Sequence, residues 1–202
     1  MLVALSGMGL SAAAGLNAYI PFLIVGVLAR FTDVITLPSS FHWIQSWWAL
    51  GIGLVLLLAE MILDKIPAVD TVNDAVQTFI RPSMGGLMGA ATSSAGALDH
   101  SQWMAQHQWV GIGLGVIVSG LVHTGKTAAR PVINAGTLGL GAPIVSTAED
   151  GTSIGLSLVA VFIPVLVILA LLILAGVFVW VVVQFRRWRR RRAGAPRAAA
   201  AT

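Results

Sequence analysis

The sequence predicts an all-α, polytopic integral membrane protein: about six transmembrane helices in three tandem helix-pair repeats, with both termini inside. Three observations predict it. Of 202 residues, 57% are apolar and 10% charged, and the mean hydropathy is +0.88, more apolar surface than a water-soluble fold of this size can cover. The 12 Lys+Arg and 8 Asp+Glu fall in short clusters between long uncharged runs, as membrane spans require. Finally, Thr78-Phe-Ile-Arg81-Pro82 repeats as Thr127-Ala-Ala-Arg130-Pro131, an internal similarity at the scale of a helix pair.

Uncharged runs define the segments in order. The first, 2–29, has no basic stretch before its apolar run, so it reads as a retained helix and not a cleavable signal. The second, 47–63, opens on Trp47 and Trp48. A polar stretch follows, with Glu60, Asp64, Lys65, Asp70, Asn73, Asp74, Gln77 and Arg81; Val69, Val72, Val76 and Phe79 recur through it at helical spacing. That pattern predicts an amphipathic helix on the inner membrane surface. Segments 84–98, 109–122 and 132–147 fall short of the ~20 residues that cross a bilayer, so each thins the membrane, borrows flanking residues or re-enters. The last run, 152–185, is too long and is expected to tilt or bend near Pro164. Residues 186–202, arginine-rich and then alanine-rich, read as a disordered cytoplasmic tail.

Orientation follows from lysine and arginine, which stay on the cytoplasmic side during insertion. With the N-terminus inside, one face receives Lys65, Arg81, Lys126, Arg130 and the seven arginines between Arg186 and Arg197, and the other receives Arg30 alone. The outer face then carries Asp33, Asp99, Glu149 and Asp150. Trp43, Trp47, Trp48, Trp103 and Trp109 fall at its level, with Trp180 and Trp188 at the inner one, as interfacial belts do. Each repeat holds two crossings, so successive units insert the same way up around an axis along the membrane normal. Small residues such as Gly7, Gly15, Gly85, Gly89 and Gly139 place the odd helices inside, where backbones approach closely, and the even ones against lipid.

Four stretches carry a family resemblance: Leu10-Ser-Ala-Ala-Ala-Gly-Leu-Asn17-Ala-Tyr19-Ile-Pro21, Asp64-Lys65-x-Pro67-x-x-Asp70, Phe79-Ile-Arg81-Pro82 and His123-x-x-Lys126-x-x-x-Arg130. On these residues the chain resembles a bacterial membrane family known as domain of unknown function 4126, over roughly residues 5 to 180. The resemblance implies a bacterial cytoplasmic (inner) membrane location, and no mechanism.

The stretch Gly120-Leu-Val-His-Thr-Gly125-Lys126-Thr127 satisfies the spacing of a phosphate-binding P-loop. No parallel strand precedes it and Pro131 soon follows, so nucleotide binding is not expected. The same residues suit a cationic face: His123, Lys126 and Arg130 lie one turn apart on a helix, and with Arg81 they are candidates to bind an anion. Asn17, Tyr19, Thr92, Ser93, Asn134 and Thr137 place uncharged polar groups in each odd helix, candidates to line an intramembrane path. Glu60 and Asp64, one turn apart, are candidate paired or proton-exchanging carboxylates. The chain has no cysteine, so thiolate catalysis and cysteine-ligated metals are excluded. No catalytic constellation, metal or cofactor is expected, hence no enzyme. The expected role is a small transporter or channel-like protein for an anionic solute or a lipid phosphate headgroup; the alternative is a non-enzymatic membrane scaffold or accessory subunit. Membrane lipids, with anionic lipid at the arginine tail, are the expected partners; nucleic acid is not a specific one, and an oligomer is left open.

Overall fold

A computed structural model describes residues 2–95, 106–137 and 141–194. All regular structure among them is helical: α1 (Leu2–Leu16), α2 (Tyr19–Phe31), a 3-10 helix (Ser39–Gln45), α3 (Trp47–Leu63), α4 (Pro67–Ala95), α5 (Gln108–Thr137), α6 (Ala142–Phe162) and α7 (Leu166–Gly194). By length and composition one helix, over Gln108–Arg130, is apolar enough to cross a membrane alone. The 3-10 helix and α3 pass together but meet at 56°. Leu2–Leu16, Tyr19–Phe31 and Leu166–Trp180 are apolar and shorter.

The first apolar run is not one helix. It breaks at Asn17-Ala18, where the Asn17 carboxamide oxygen accepts the amides of Tyr19 (3.1 Å) and Ile20 (3.2 Å) and so caps α2. Pro21 sits in the first turn of α2, where its missing N–H costs no helical bond. The chain turns back on itself there. Gly7 packs on Thr92, Ser11 donates to the Gly85 carbonyl and the Gly15 carbonyl accepts from Arg81, so α1 runs antiparallel to α4. Gly26 lies against Leu50 and Gly53 against Phe22, so α2 runs antiparallel to α3 and away from the end that α1 reaches. Leu2 accordingly shares a cavity of about 320 Å³ with Val34, Ile35, Leu37, Thr92 and Val161.

The six-span expectation, with both termini inside, places the two ends of the chain at one end of the bundle; the helices arrange them differently. α7 starts with Val167 against Gly9 and passes Gly125 at Phe178, so its arginine-rich end lies at the end of the bundle opposite to Leu2. A turn within the first segment adds one reversal of direction. α7 also stays helical to Gly194, through part of the stretch expected to be disordered; arginine is a good helix former and extends a helix already nucleated. Residues 195–202 lie outside the described ones.

The segment boundaries shift for one reason. The expected amphipathic helix and the segment from 84 merge into the 29-residue α4, and the segment 109–122 continues through Lys126 and Arg130 into the 30-residue α5. Stopping each span at a charge assumes that charges end at the surface; here they sit inside the bundle. α6 takes in Glu149 and Asp150, and the bend before α7 falls at Ile163–Val165, beside the expected Pro164.

The tandem repeat is corrected as well. Its two Thr-x-x-Arg-Pro motifs lie mid-helix on neighbouring antiparallel helices, since Gly85 packs on Gly115 and Gly89 on Gly111. Units inserted the same way up place equivalent helices parallel.

α1 is the buried axis of the fold, packed by α4, α5 and α6. Around it the usual distribution of polarity is inverted. Val72, Val76 and Phe79 on α4 are exposed, Phe79 to 79%, while Asn73, Asp74, Gln77 and Arg81 on its other face are buried, Arg81 completely. The apolar face of this amphipathic helix points away from the protein.

Candidate functional site

The break in α1–α2 sits on a buried network of charges. α3 brings Glu60 on its last turn and Asp64 just after it; α4 brings Asn73, Asp74, Gln77 and Arg81 at three- and four-residue steps, hence on one face. α5 adds His123, Lys126 and Arg130, and α6 adds Glu149 and Asp150.

Arg81 is the innermost cation. Its guanidinium donates to Glu60 Oε1 at 2.6 Å and to the Gly15 carbonyl at 3.4 Å, and stands 3.6 Å from Asp64 Oδ2. Its Nη1 also meets His123 Nδ1 at 3.3 Å. Because an arginine only donates, that ring nitrogen accepts, and Nε2–H is left to donate to Thr78 Oγ1 at 3.0 Å.

Asp64 is the hub. Its Oδ2 receives Lys126 Nζ at 3.0 Å and Arg130 Nη2 at 2.9 Å, and its Oδ1 accepts from Asn73 at 2.7 Å. Asp64 lies in the turn between α3 and α4, outside both helices. Burial pushes its carboxyl up, but Lys126, Arg130, Arg81 and the Asn73 amide outweigh that and hold it at about 2. Glu149 closes the far side, 3.0 Å from Lys126 and 2.8 Å from Arg130, and Asp74 lies 3.7 Å from Arg130.

The hairpin tip plugs into this network through its backbone. The last carbonyls of a helix have no intrahelical partner; here Gly15 O takes Arg81 and Leu16 O takes Lys126 at 3.2 Å. Both cations also suit the negative end of the α1 dipole. Asn17 spans the break, its oxygen on the α2 amides and its nitrogen donating to Asp150 Oδ1 at 2.9 Å. Three helices thus hold one non-helical tip through ionisable side chains, and Glu60 and Asp64 at the end of α3 pair with the cations.

With that geometry described, comparison with known proteins is brief. A family described as a domain of unknown function, DUF4126, matches residues 4–184. The chain belongs to the DUF4126 family. No curated protein and no solved structure matches it. The DUF4126 match spans the whole helical bundle and ends just before the arginine run, so the charge network lies within the part that defines the family.

The structure brings together Arg81, His123, Lys126 and Arg130, as their spacing suggested, and adds their counter-ions. Glu60 pairs with Arg81; Lys65 points away and donates to the Met61 carbonyl at 3.0 Å. Asn17 and Tyr19 join this site, the Tyr19 hydroxyl meeting Gln77. Thr92 and Ser93 do not, which corrects the single polar path. They lie three turns along α4 from Arg81, at the level of Gly7, and Thr92 bonds back to the Met88 carbonyl of its own helix. Between the two levels α4 and α5 are in backbone contact: a Cβ on Gly89 collides with the Gly111 carbonyl. The side chains of Asn134 and Thr137 lie outside the described residues. The P-loop look-alike is continuous α5 helix, its lysine engaged by Asp64 and Glu149.

Glu149 and Asp150, expected on the outer face, stand instead beside Lys126 and Arg130. Their signal was a pair of carboxylates flanked by small and apolar residues, which favours a buried partner over a loop. The bend in the first segment had a signal too, in Asn17 followed by Pro21.

Proposed function

We propose that this DUF4126 protein is a multi-pass membrane protein of transporter type, in which the α1–α2 hairpin is the working element and the charge network its docking site. What carries the reading is a non-helical hairpin tip held by ionisable side chains of three helices, Arg81, Lys126 and Asp150. Ionisable groups buried in a membrane bundle are costly and mark ion or proton pathways. Broken helices whose ends meet such groups are the usual architecture of secondary-transporter sites. Insertion in a membrane is supported by the inverted polarity of α4 and by exposed apolar side chains along α3, α5 and α7, such as Val55, Leu121 and Leu172. In this reading α1 and α2, with 15 and 13 residues, reach only about 20 Å into a ~30 Å core and re-enter without crossing, while α3 to α7 span. The positive charge at the network end and along α7 points that end to the cytosol.

The anionic solute or lipid phosphate proposed from the cationic cluster has to compete for its site. Arg81, Lys126 and Arg130 are each held by carboxylates at 3.0 Å or less, so an anion binds there only by displacing Asp64, Glu60 or Glu149. An ion that exchanges with the carboxylates fits the geometry better.

The chain lacks cysteine, which permits a clean test. A Cβ on Gly7 stands 3.3 Å from Thr92 Cβ, close to the ~3.5–4.5 Å of a disulfide, so Gly7→Cys with Thr92→Cys locks the hairpin to α4. Full-length protein in liposomes is assayed for proton, sodium and inorganic phosphate flux. Flux that stops on oxidation and returns on reduction supports a moving hairpin. Absence of flux for all three probes favours the scaffold, and flux indifferent to the lock removes the moving hairpin.

A further inference from the structure

The charges gathered at the hairpin tip do not balance. Five carboxylates (Glu60, Asp64, Asp74, Glu149 and Asp150) meet three buried cations (Arg81, Lys126 and Arg130); with Lys65, which donates to the Met61 carbonyl at the same end, one negative charge is left in excess among the described residues. His123 spends its Nδ1 lone pair on Arg81 and adds none. In a site shielded from water such an excess is costly unless something neutralises it.

Most of these carboxylates have a cation, and one has none. Glu60, Asp64 and Glu149 lie within 3.0 Å of theirs, and Asp74 lies 3.7 Å from Arg130. Among the described residues Asp150 is buried with no ion-pair partner. Its Oδ1 accepts from the Asn17 amide, and its Oδ2 is buried with no hydrogen-bond partner. Ser146, one turn earlier on α6 and 1% exposed, also holds an unpartnered hydroxyl. The charges whose fields reach Asp150 are Lys126 on α5 and Lys65 and Asp64 at the end of α3. α6 itself adds Glu149; α2 has Tyr19, turned toward Gln77, and Arg30 in its last turn at the far end of the helix, donating to the Gln45 carbonyl. α1 carries no titratable side chain and α7 none before Arg186.

We propose that Asp150 is a proton-binding site: it holds an exchangeable proton on Oδ2 while the hairpin tip is docked and releases it to water when the tip lifts. A neutral carboxylic acid uses its oxygens unequally, one as acceptor and one as O–H donor. Asp150 has that asymmetry, an amide donor on Oδ1 and nothing donating to Oδ2. A metal cation in place of the proton needs several converging oxygens, and among the described residues no three carboxylate or imidazole groups are arranged to hold one. Loss of the proton leaves a carboxylate with no cation beside Glu149, which penalises the docked state; lifting Asn17 admits water and relieves it. Proton occupancy and hairpin position are thereby coupled. The inference rests on the transporter reading for its use, and deepens it by naming the coupled ion.

The test is pH-difference infrared spectroscopy of the full chain in lipid bilayers, read at the carbonyl stretch of protonated carboxyl groups between about pH 5 and about pH 9, where buried carboxyls titrate. A band is expected in the wild type that disappears with rising pH, is lost in Asp150→Asn, and shifts without vanishing in Asp150→Glu. Amide exchange over residues 13–20 should quicken across the same pH interval in the wild type and stay flat in Asp150→Asn. A wild type without the band, or a band unchanged in Asp150→Asn, overturns the assignment. So does a transition that follows sodium concentration and not pH. None of these readings depends on flux: a titrating Asp150 without lock-sensitive flux keeps the proton site and removes the transporter reading.

Discussion

Arg81 and Glu60 are the pair on which the interior depends most. Both are almost fully buried, 2.6 Å apart, and removing one strands the other as an uncompensated charge. Arg81→Met is therefore expected to cost about 3–5 kcal/mol, with Glu60→Met/Arg81→Met recovering most of it because the desolvation of both ions is removed together. Unfolding of the detergent-solubilised protein measures both, and a double variant as unstable as the single one contradicts the pairing. Asp64 makes a prediction in pH. Its carboxyl is held at about 2, below the ordinary 3.8, so its ion pairs contribute fully above the ordinary value and lose their contribution as pH falls through about 2. The stability gap between wild type and Asp64→Asn should be constant at neutral pH and close below about pH 2; a gap that closes already near neutrality places the titration on another group.

Among elements, the α4–α5 contact is the tightest and the easiest to test. A Cβ on Gly89 collides with the Gly111 carbonyl, whereas Gly113, two residues along α5, has nothing within 4 Å. Gly89→Ala should thus destabilise by about 1–3 kcal/mol through overpacking, while Gly113→Ala should be neutral or stabilise by up to about 1 kcal/mol through helix propensity. Similar effects at the two sites mean that the helices are not packed on that face. These small-residue faces were legible in the sequence, as was α3, whose Trp47–Leu63 bounds coincide with its apolar run despite Glu60 in the last turn. The one-face grouping of His123, Lys126 and Arg130 was legible as well, because i, i+3 and i, i+4 spacing fixes a face whatever surrounds it. What the face meets was not legible. Asp64, Glu149 and the Leu16 carbonyl come from three other parts of the chain at sequence separations of up to 110 residues, and hydropathy treats every charge as a surface marker. That assumption shortened α4 and α5 and separated Asp150 from Lys126 and Asn17, and it hid the hairpin, since an uncharged run gives no sign of reversal beyond one asparagine and one proline.

For the whole molecule the reversal at Asn17 decides the topology. A single helix over 2–29 leaves Leu2 and the arginines of α7 at the same end; the hairpin leaves them at opposite ends, with Leu2 beside the 32–38 connection. The absence of native cysteine makes single-cysteine labelling direct. Leu2, Asp33 and Arg187 are exposed positions. Cells expressing Leu2→Cys, Asp33→Cys or Arg187→Cys are treated with a membrane-impermeant thiol reagent before and after permeabilisation. The positive-inside bias puts the α7 arginines in the cytosol, so Arg187→Cys should react only after permeabilisation and Asp33→Cys before it. Leu2→Cys is the informative position: reaction together with Asp33→Cys means that α1 enters and returns from the outer face. That result also fixes the depth of the charge network, which then sits at the bottom of a re-entrant hairpin about 20 Å from the outer surface. Protection of Leu2→Cys together with Arg187→Cys requires a continuous first span, and the tip that receives Arg81, Lys126 and Asp150 no longer exists.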